Sequence, residues 1–262
     1  MTMVSCRGLS AAYNGTVVLD GVDLSVEDGE WVVVVGPNGS GKTSLIRALS
    51  GSLPAEGEVT IGDRLLGDMR RRDIAAQVAV VPQTPVIPEG MTVSDYVMLG
   101  RTPYIPYWGT EGPADVARVA EVLGSLDLLP FANRPITSLS GGERQRAVLG
   151  RALSQDASVL LLDEPTTALD LGHQQQVLEL VHQLRERHRL AVISTLHDLT
   201  FAAAYGDRLI VLVEGRVVAS GKPAEVLEPK LIEEYFGATV EVLQGPDGPV
   251  VLPVRRRPLR PV

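Results

Sequence analysis

Residues 36–43 read Gly-Pro-Asn-Gly-Ser-Gly-Lys-Thr and directly follow the apolar run Trp-Val-Val-Val-Val at 31–35. The spacing G-x-x-x-x-G-K-[ST] belongs to loops that wrap phosphate groups. Gly36, Gly39 and Gly41 let the backbone close in, so that loop N–H groups, those of Asn38 and Ser40 included, point at phosphate oxygens. Such a loop sits between a buried strand and a helix N-terminus, whose dipole favours an anion. An apolar strand precedes this one, and helical character follows at 43–49. Lys42 is expected to reach the outer phosphates and the Thr43 hydroxyl to ligate Mg2+, with Ser44 beside it. The loop therefore holds the chain to an α/β sheet.

The remaining pattern agrees. Short β-branched runs at 4–9, 17–19 and 22–26, with turns at Asn14-Gly15 and Asp28-Gly29, predict N-terminal strands. Further strands are expected at 58–61, 78–81, 159–163, 191–195, 209–213 and 216–219. Helices are expected at 93–99, 115–126, 141–153, 171–187 and 199–205. Strands alternating with helices imply a largely parallel sheet. Between 84 and 138 the texture changes to helices separated by Pro- and Gly-rich stretches, which reads as a helical subdomain inserted into a core made of 1–83 and 139–237. The segment 238–262 adds a hairpin and a basic tail, and the 262 residues form a single domain.

Composition narrows the chemistry. One cysteine excludes a disulfide framework and four-cysteine zinc sites, and a net charge of −8 argues against nucleic acid as a partner. The apolar runs are far shorter than the ~20 residues a membrane span needs. No basic region precedes an apolar stretch at the N-terminus, so the chain reads as cytosolic, and a membrane role has to come through a partner.

Two further segments carry chemistry. The strand 159–163 delivers Asp163 and Glu164 at its C-terminal end, where open α/β sheets bind ligands. Asp163 suits a contact to Mg2+, and Glu164 suits a general base acting on water. Residues 139–146 read Leu-Ser-Gly-Gly-Glu-Arg-Gln-Arg. Ser140, Gly141 and Gly142 form either a second anion site at a helix start or an ordinary capping box closed by Glu143.

The order of these segments, with Thr-Ala-Leu-Asp at 167–170, Gln83 and His197, strongly resembles the ATP-binding subunit of an ABC transporter, a P-loop NTPase fold. The resemblance covers about 4–237. It implies that two copies, or this chain and a homologous ATPase subunit, sandwich ATP. Ser140 and Gly142 of one then clasp the phosphate held by the other, and Asp170 links the two sites. It also makes Gln83 the contact to Mg2+ or water that couples the site to a permease. His197 contacts the outermost phosphate and orients Glu164, and Tyr13 stacks on adenine. The Thr43-Ser44 order departs from the commoner Ser-Thr, but either hydroxyl can bind Mg2+.

Residues 93–109, with Leu-Gly-Arg-x-Pro, and 197–223 resemble importers of iron–siderophore complexes, haem or cobalamin, which work with a permease and a substrate-binding protein at the cytoplasmic face of the bacterial membrane. An importer of another small solute and a soluble cluster-assembly ATPase are the alternatives. Tyr104, Tyr107 and Trp108 either meet the permease or pack the subdomain. Arg255, Arg256, Arg257 and Arg260 form the basic tail, a solvated segment or a headgroup contact.

Overall fold

The computed structural model describes residues 1–167 and 169–255. Strands β1 (Thr2–Tyr13) and β2 (Thr16–Glu27) form a hairpin closed by Asn14 and Gly15 at φ 48° and 81°, the left-handed pair that a tight hairpin turn demands. Then come β3 (Trp31–Val35), α1 (Lys42–Leu49), β4 (Glu56–Ile61), β5 (Arg64–Leu65), α2 (Arg71–Ala75) and β6 (Val78–Val81). The helical layer holds α3 (Val93–Met98), α4 (Pro113–Ser125) and α5 (Gly141–Leu153). The chain returns to the sheet through β7 (Val159–Asp163), α6 (Leu171–His188), β8 (Ala191–Thr195), α7 (Leu199–Tyr205), β9 (Arg208–Val213) and β10 (Arg216–Gly221). It continues through α8 (Pro223–Val226), α9 (Pro229–Phe236), β11 (Val240–Gly245) and β12 (Gly248–Pro253).

The antiparallel sheet has the order β2-β1-β4-β5, and the second sheet β10-β9-β3-β8-β7-β6. All neighbours in the second sheet run parallel except β10 against β9. This is the expected mixed, largely parallel sheet with antiparallel N-terminal strands. The central strands are apolar throughout because both faces are covered. Val32 and Val34 join α1 and the antiparallel sheet in one core, whereas Trp31, Val33 and Val35 join the helices on the other side. The C-terminal ends of β3, β7 and β8 consequently lie side by side, which brings the phosphate loop, Asp163-Glu164 and His197 to one edge of the sheet.

Residues 17–19 and 22–26 are one strand, not two. At the interruption Gly21 adopts φ 64°, and its N–H is satisfied by Ser10 Oγ at 2.9 Å, so the ladder bulges without ending. The short β5, α2, α8 and α9 lack the period that long elements show; the signal available for α8 and α9 is proline at the first turn.

The Leu-Gly-Arg segment has a packing explanation. A Cβ on Gly100 would come within 2.1 Å of Arg151 O, so glycine lets this turn lie against the end of α5. Arg101 is buried and bonds Asp115 at 2.9 Å, Asp156 at 2.6 Å and Ser154 O at 2.7 Å, pinning α4 and α5 together. Arg101→Met is expected to cost about 1–3 kcal/mol, since the buried Ser154 carbonyl loses a donor, while Asp156 keeps Arg118 and Asp115 keeps the Gly112 N–H. Denaturant titration would read this as a shifted midpoint, and an unchanged midpoint would refute the role.

Tyr104 packs the subdomain: its hydroxyl donates to Gln155 O at 2.8 Å, and Arg101 lies 4.0 Å over its ring. Tyr107 and Trp108 do not. They are 88% and 94% exposed and stack edge-to-face on each other. The terminal hairpin is present and rests on α7, with Val251 N–H donating to Thr200 Oγ1 at 3.1 Å. Of the basic tail, Arg256, Arg257 and Arg260 lie outside the described residues.

Candidate active site

The phosphate loop is shaped by its neighbours. A Cβ on Gly36 would fall 2.1 Å from Leu212 O, and one on Gly41, at φ 105°, would fall 2.5 Å from Val18 O. Glycine at both positions lets the loop nest against β9 and β2 while its concave side stays open. That side is a cavity of about 250 Å3 lined by Val18, residues 38–44 and Glu164.

Lys42 opens α1 and is buried, its ammonium donating to Gly36 O at 2.8 Å and Pro37 O at 3.0 Å. Burial pulls its pKa down, while the nearby carboxylates of Glu164 and Asp163 oppose that shift. Asp163, the last residue of β7, accepts from Thr43 Oγ1 at 3.1 Å. Its pKa is raised, chiefly by desolvation, with the hydrogen bonds from Thr43 and Thr195 acting the other way. Glu164 follows and is buried too. One of its oxygens accepts from Gln83 Nε2 and from Thr167 Oγ1, the latter at 3.0 Å, and the other lies 2.6 Å from His197 Nε2.

Gln83 and His197, more than a hundred residues apart in sequence, thus meet at Glu164, which lines the loop cavity, while Asp163 is bonded to Thr43. The donor set also suits magnesium, a hard cation that takes oxygen ligands. The Thr43 hydroxyl and Asp163 carboxylate are already within 3.1 Å of one another, and a cation would relieve the cost of an ionised, buried Asp163.

Ser140, Gly141, Gly142 and Asp170 do not line this cavity. Both features of the 139–146 segment are visible. Ser140 Oγ accepts from Glu143 N–H at 3.3 Å, and Glu143 returns a bond to Ser140 N–H at 2.8 Å, a complete capping box. The cap uses the hydroxyl as an acceptor and leaves its proton available, and the space around Gly141 is open. Asp170 caps α6, accepting from His173 N–H at 2.9 Å. Tyr13 ends β1 with its ring half exposed and its hydroxyl 3.4 Å from Arg47.

Sequence reasoning missed Val18, Thr167 and Thr195. Val18 carries no motif, since its place in the cavity comes from the hairpin folding over the loop. Thr167 lies in the quoted Thr-Ala-Leu-Asp segment, and its hydroxyl reaches back three residues to Glu164. Thr195 had one usable signal, the polar pair Ser194-Thr195 ending an apolar strand.

A glycine-rich loop joining β3 to α1, a carboxylate pair ending the parallel strand β7, and a separate capped Ser-Gly-Gly helix start define the ATP-binding cassettes. The chain belongs to the ABC transporter family, whose model matches residues 19–167. It is 42% identical over 97% of its length to a hemin import ATP-binding protein of Rhodococcus jostii, covering 86% of that protein. It is 36% identical to a petrobactin import ATP-binding protein of Bacillus anthracis, with 92% and 88% of the two chains covered. A solved structure of a metal-chelate type ABC transporter in an inward-facing conformation superposes with a TM-score of 0.84 at 25% identity, over 98% of this chain and 99% of that one.

Proposed function

We propose that this chain is the ATP-hydrolysing subunit of an importer for a metal chelate of the haem, siderophore or cobalamin class. The observation that carries the hydrolytic half is the Glu164 carboxylate, buried beside the phosphate loop and engaged by Gln83, Thr167 and His197. The import half is supported by the hemin and petrobactin relatives, which match along almost the whole chain.

In this reading residues 38–44 bind the phosphates, with Lys42 as their cation and Tyr13 against the adenine. Thr43 and Asp163, with Gln83 contributing through the metal or its water, would hold magnesium, which would supply neutralisation of phosphate charge when bound. Glu164 takes the proton of the attacking water, and His197 and Gln83 hold that carboxylate and the water in line. Ser140, Gly141 and Gly142 serve the ATP of a second copy, or of a homologous subunit, through the free hydroxyl proton and the N–H groups that open α5. Asp170 lies at that interface. ATP thus closes two subunits, and hydrolysis removes the bridge.

The core, 1–83 and 139–237, binds nucleotide, and the subdomain 84–138 passes the closure to a permease. No helix among the described residues is long and apolar enough to cross a membrane. The permease accordingly holds the chain at the cytoplasmic face and receives chelate from a substrate-binding protein. Exposed Tyr107 and Trp108 are part of that permease contact. To test the reading, Glu164→Gln protein with ATP is crosslinked in cells and recovered from detergent-solubilised membranes. A polytopic permease is expected, and its co-reconstitution should give ATP-driven chelate uptake. Recovery of soluble proteins alone overturns the import half and leaves the ATPase half standing.

A further inference from the structure

Thr195 ends β8 directly opposite Asp163, which ends β7, in the parallel register. It is fully buried, so its hydroxyl has no water to bond. That hydroxyl donates to Asp163 Oδ1 at 3.1 Å and accepts from Glu164 N–H at 2.8 Å. One oxygen is therefore tied to both carboxylate-bearing residues, as a donor to one side chain and an acceptor for the next backbone. The second bond matters because Glu164 has φ 48°, a left-handed conformation that costs a non-glycine residue of this kind energy and persists only when its surroundings fix it. The conformation turns the N–H of Glu164 toward β8 while the side chain faces Gln83, Thr167 and His197. Neighbouring Ser194, equally buried, is committed elsewhere, since its Oγ accepts from Trp31 Nε1 at 2.8 Å.

We infer that Thr195 is a positioning residue for hydrolysis: its hydroxyl sets the Asp163 side chain and the Glu164 backbone relative to each other, fixing the general base against the phosphate loop. The inference rests on the proposed roles of Asp163 and Glu164. Thr195 acts through the Asp163 carboxylate and the Glu164 backbone N–H.

Thr195→Val keeps shape and volume but removes both bonds. A displacement of ~1 Å at a reacting group costs on the order of a hundredfold in rate. Thr195→Val is therefore expected to lower kcat ~10–100-fold with the ATP KM within about threefold of wild type. Equilibrium binding of ATP without magnesium should be unchanged, whereas the tightening on adding magnesium should shrink, since Asp163 loses a donor that orients it. Thr195→Ser restores the hydroxyl and should return kcat to within about threefold of wild type. Thr195→Ala, which cannot overpack, takes the place of valine if that variant does not fold.

Wild-type kcat in the valine or alanine variant overturns the inference, as does a loss that serine fails to rescue. Measured in parallel, Glu164→Gln separates the two levels. If that variant turns over freely, the proposed base is wrong. If it is inactive while Thr195→Val is fully active, only the positioning role falls.

Discussion

Glu164→Gln is expected to bind ATP and pair with a second copy while hydrolysing it ~10²–10⁴-fold more slowly, the range that loss of a general base produces. Glutamine fills the space of glutamate, so Lys42, Thr43 and Asp163 keep their geometry and nucleotide affinity survives. What changes is the capacity to accept. In the native chain Gln83 and Thr167 donate to one carboxylate oxygen and His197 Nε2 approaches the other, an arrangement suited to an acceptor-only group. An amide offers a single oxygen and cannot take a proton from water. The substitution also removes a negative charge from beside the incoming phosphates, so the ATP-bound pair should outlast that of wild type. Phosphate release followed with light scattering in ATP measures both quantities. Turnover within tenfold of wild type would remove Glu164 from the chemistry.

The site's legibility in the sequence divides along a physical line. Residues whose placement follows from local chain geometry are readable: the glycines of the loop, Lys42 and Thr43 at a helix start, Asp163-Glu164 at the end of an apolar run, and the Ser140–Glu143 box. Each rests on spacing of three to eight residues, over which a chain has few options. Gln83 and His197 needed the resemblance to a family, because a lone polar residue after a strand has many uses. Thr195 is only faintly marked, for a different reason. Its role depends on the parallel register of β8 against β7, which places it opposite a residue 32 positions away in sequence. The fold divides similarly. The central strands and long helices announce themselves by hydrophobic pattern, whereas β5, α2, α8 and α9 are too short to show a period. The continuous β2 reads as two strands because a glycine that ends many strands here makes a bulge, with Ser10 supplying the missing bond.

Lys42→Ala should abolish useful ATP binding while leaving the fold intact. A buried cation is costly, and burial already pulls the pKa of this one down. In the present conformation its ammonium is occupied by carbonyls of its own loop, Gly36 O and Pro37 O, and it faces the charges of Glu164 and Asp163 across the cavity. Alanine removes the desolvated charge together with its side chain, and the two carbonyls regain water through the open cavity, so the melting temperature should move little. The loss falls on the ligand. Charge-assisted hydrogen bonds are worth ~1.5–3 kcal/mol each, and an ammonium reaching two phosphates makes about two of them. Their removal weakens ATP roughly a hundredfold or more, since every ~1.4 kcal/mol is a factor of ten. Asp163 and Glu164, no longer opposed by a cation, would add repulsion to that loss. Titration with a fluorescent ATP analogue beside a thermal melt separates the outcomes. Affinity within threefold of wild type would mean that the phosphates are held by the loop's N–H groups alone. A collapsed melt would mean that the lysine's bonds to its own loop, rather than to ligand, are what the sequence keeps it for.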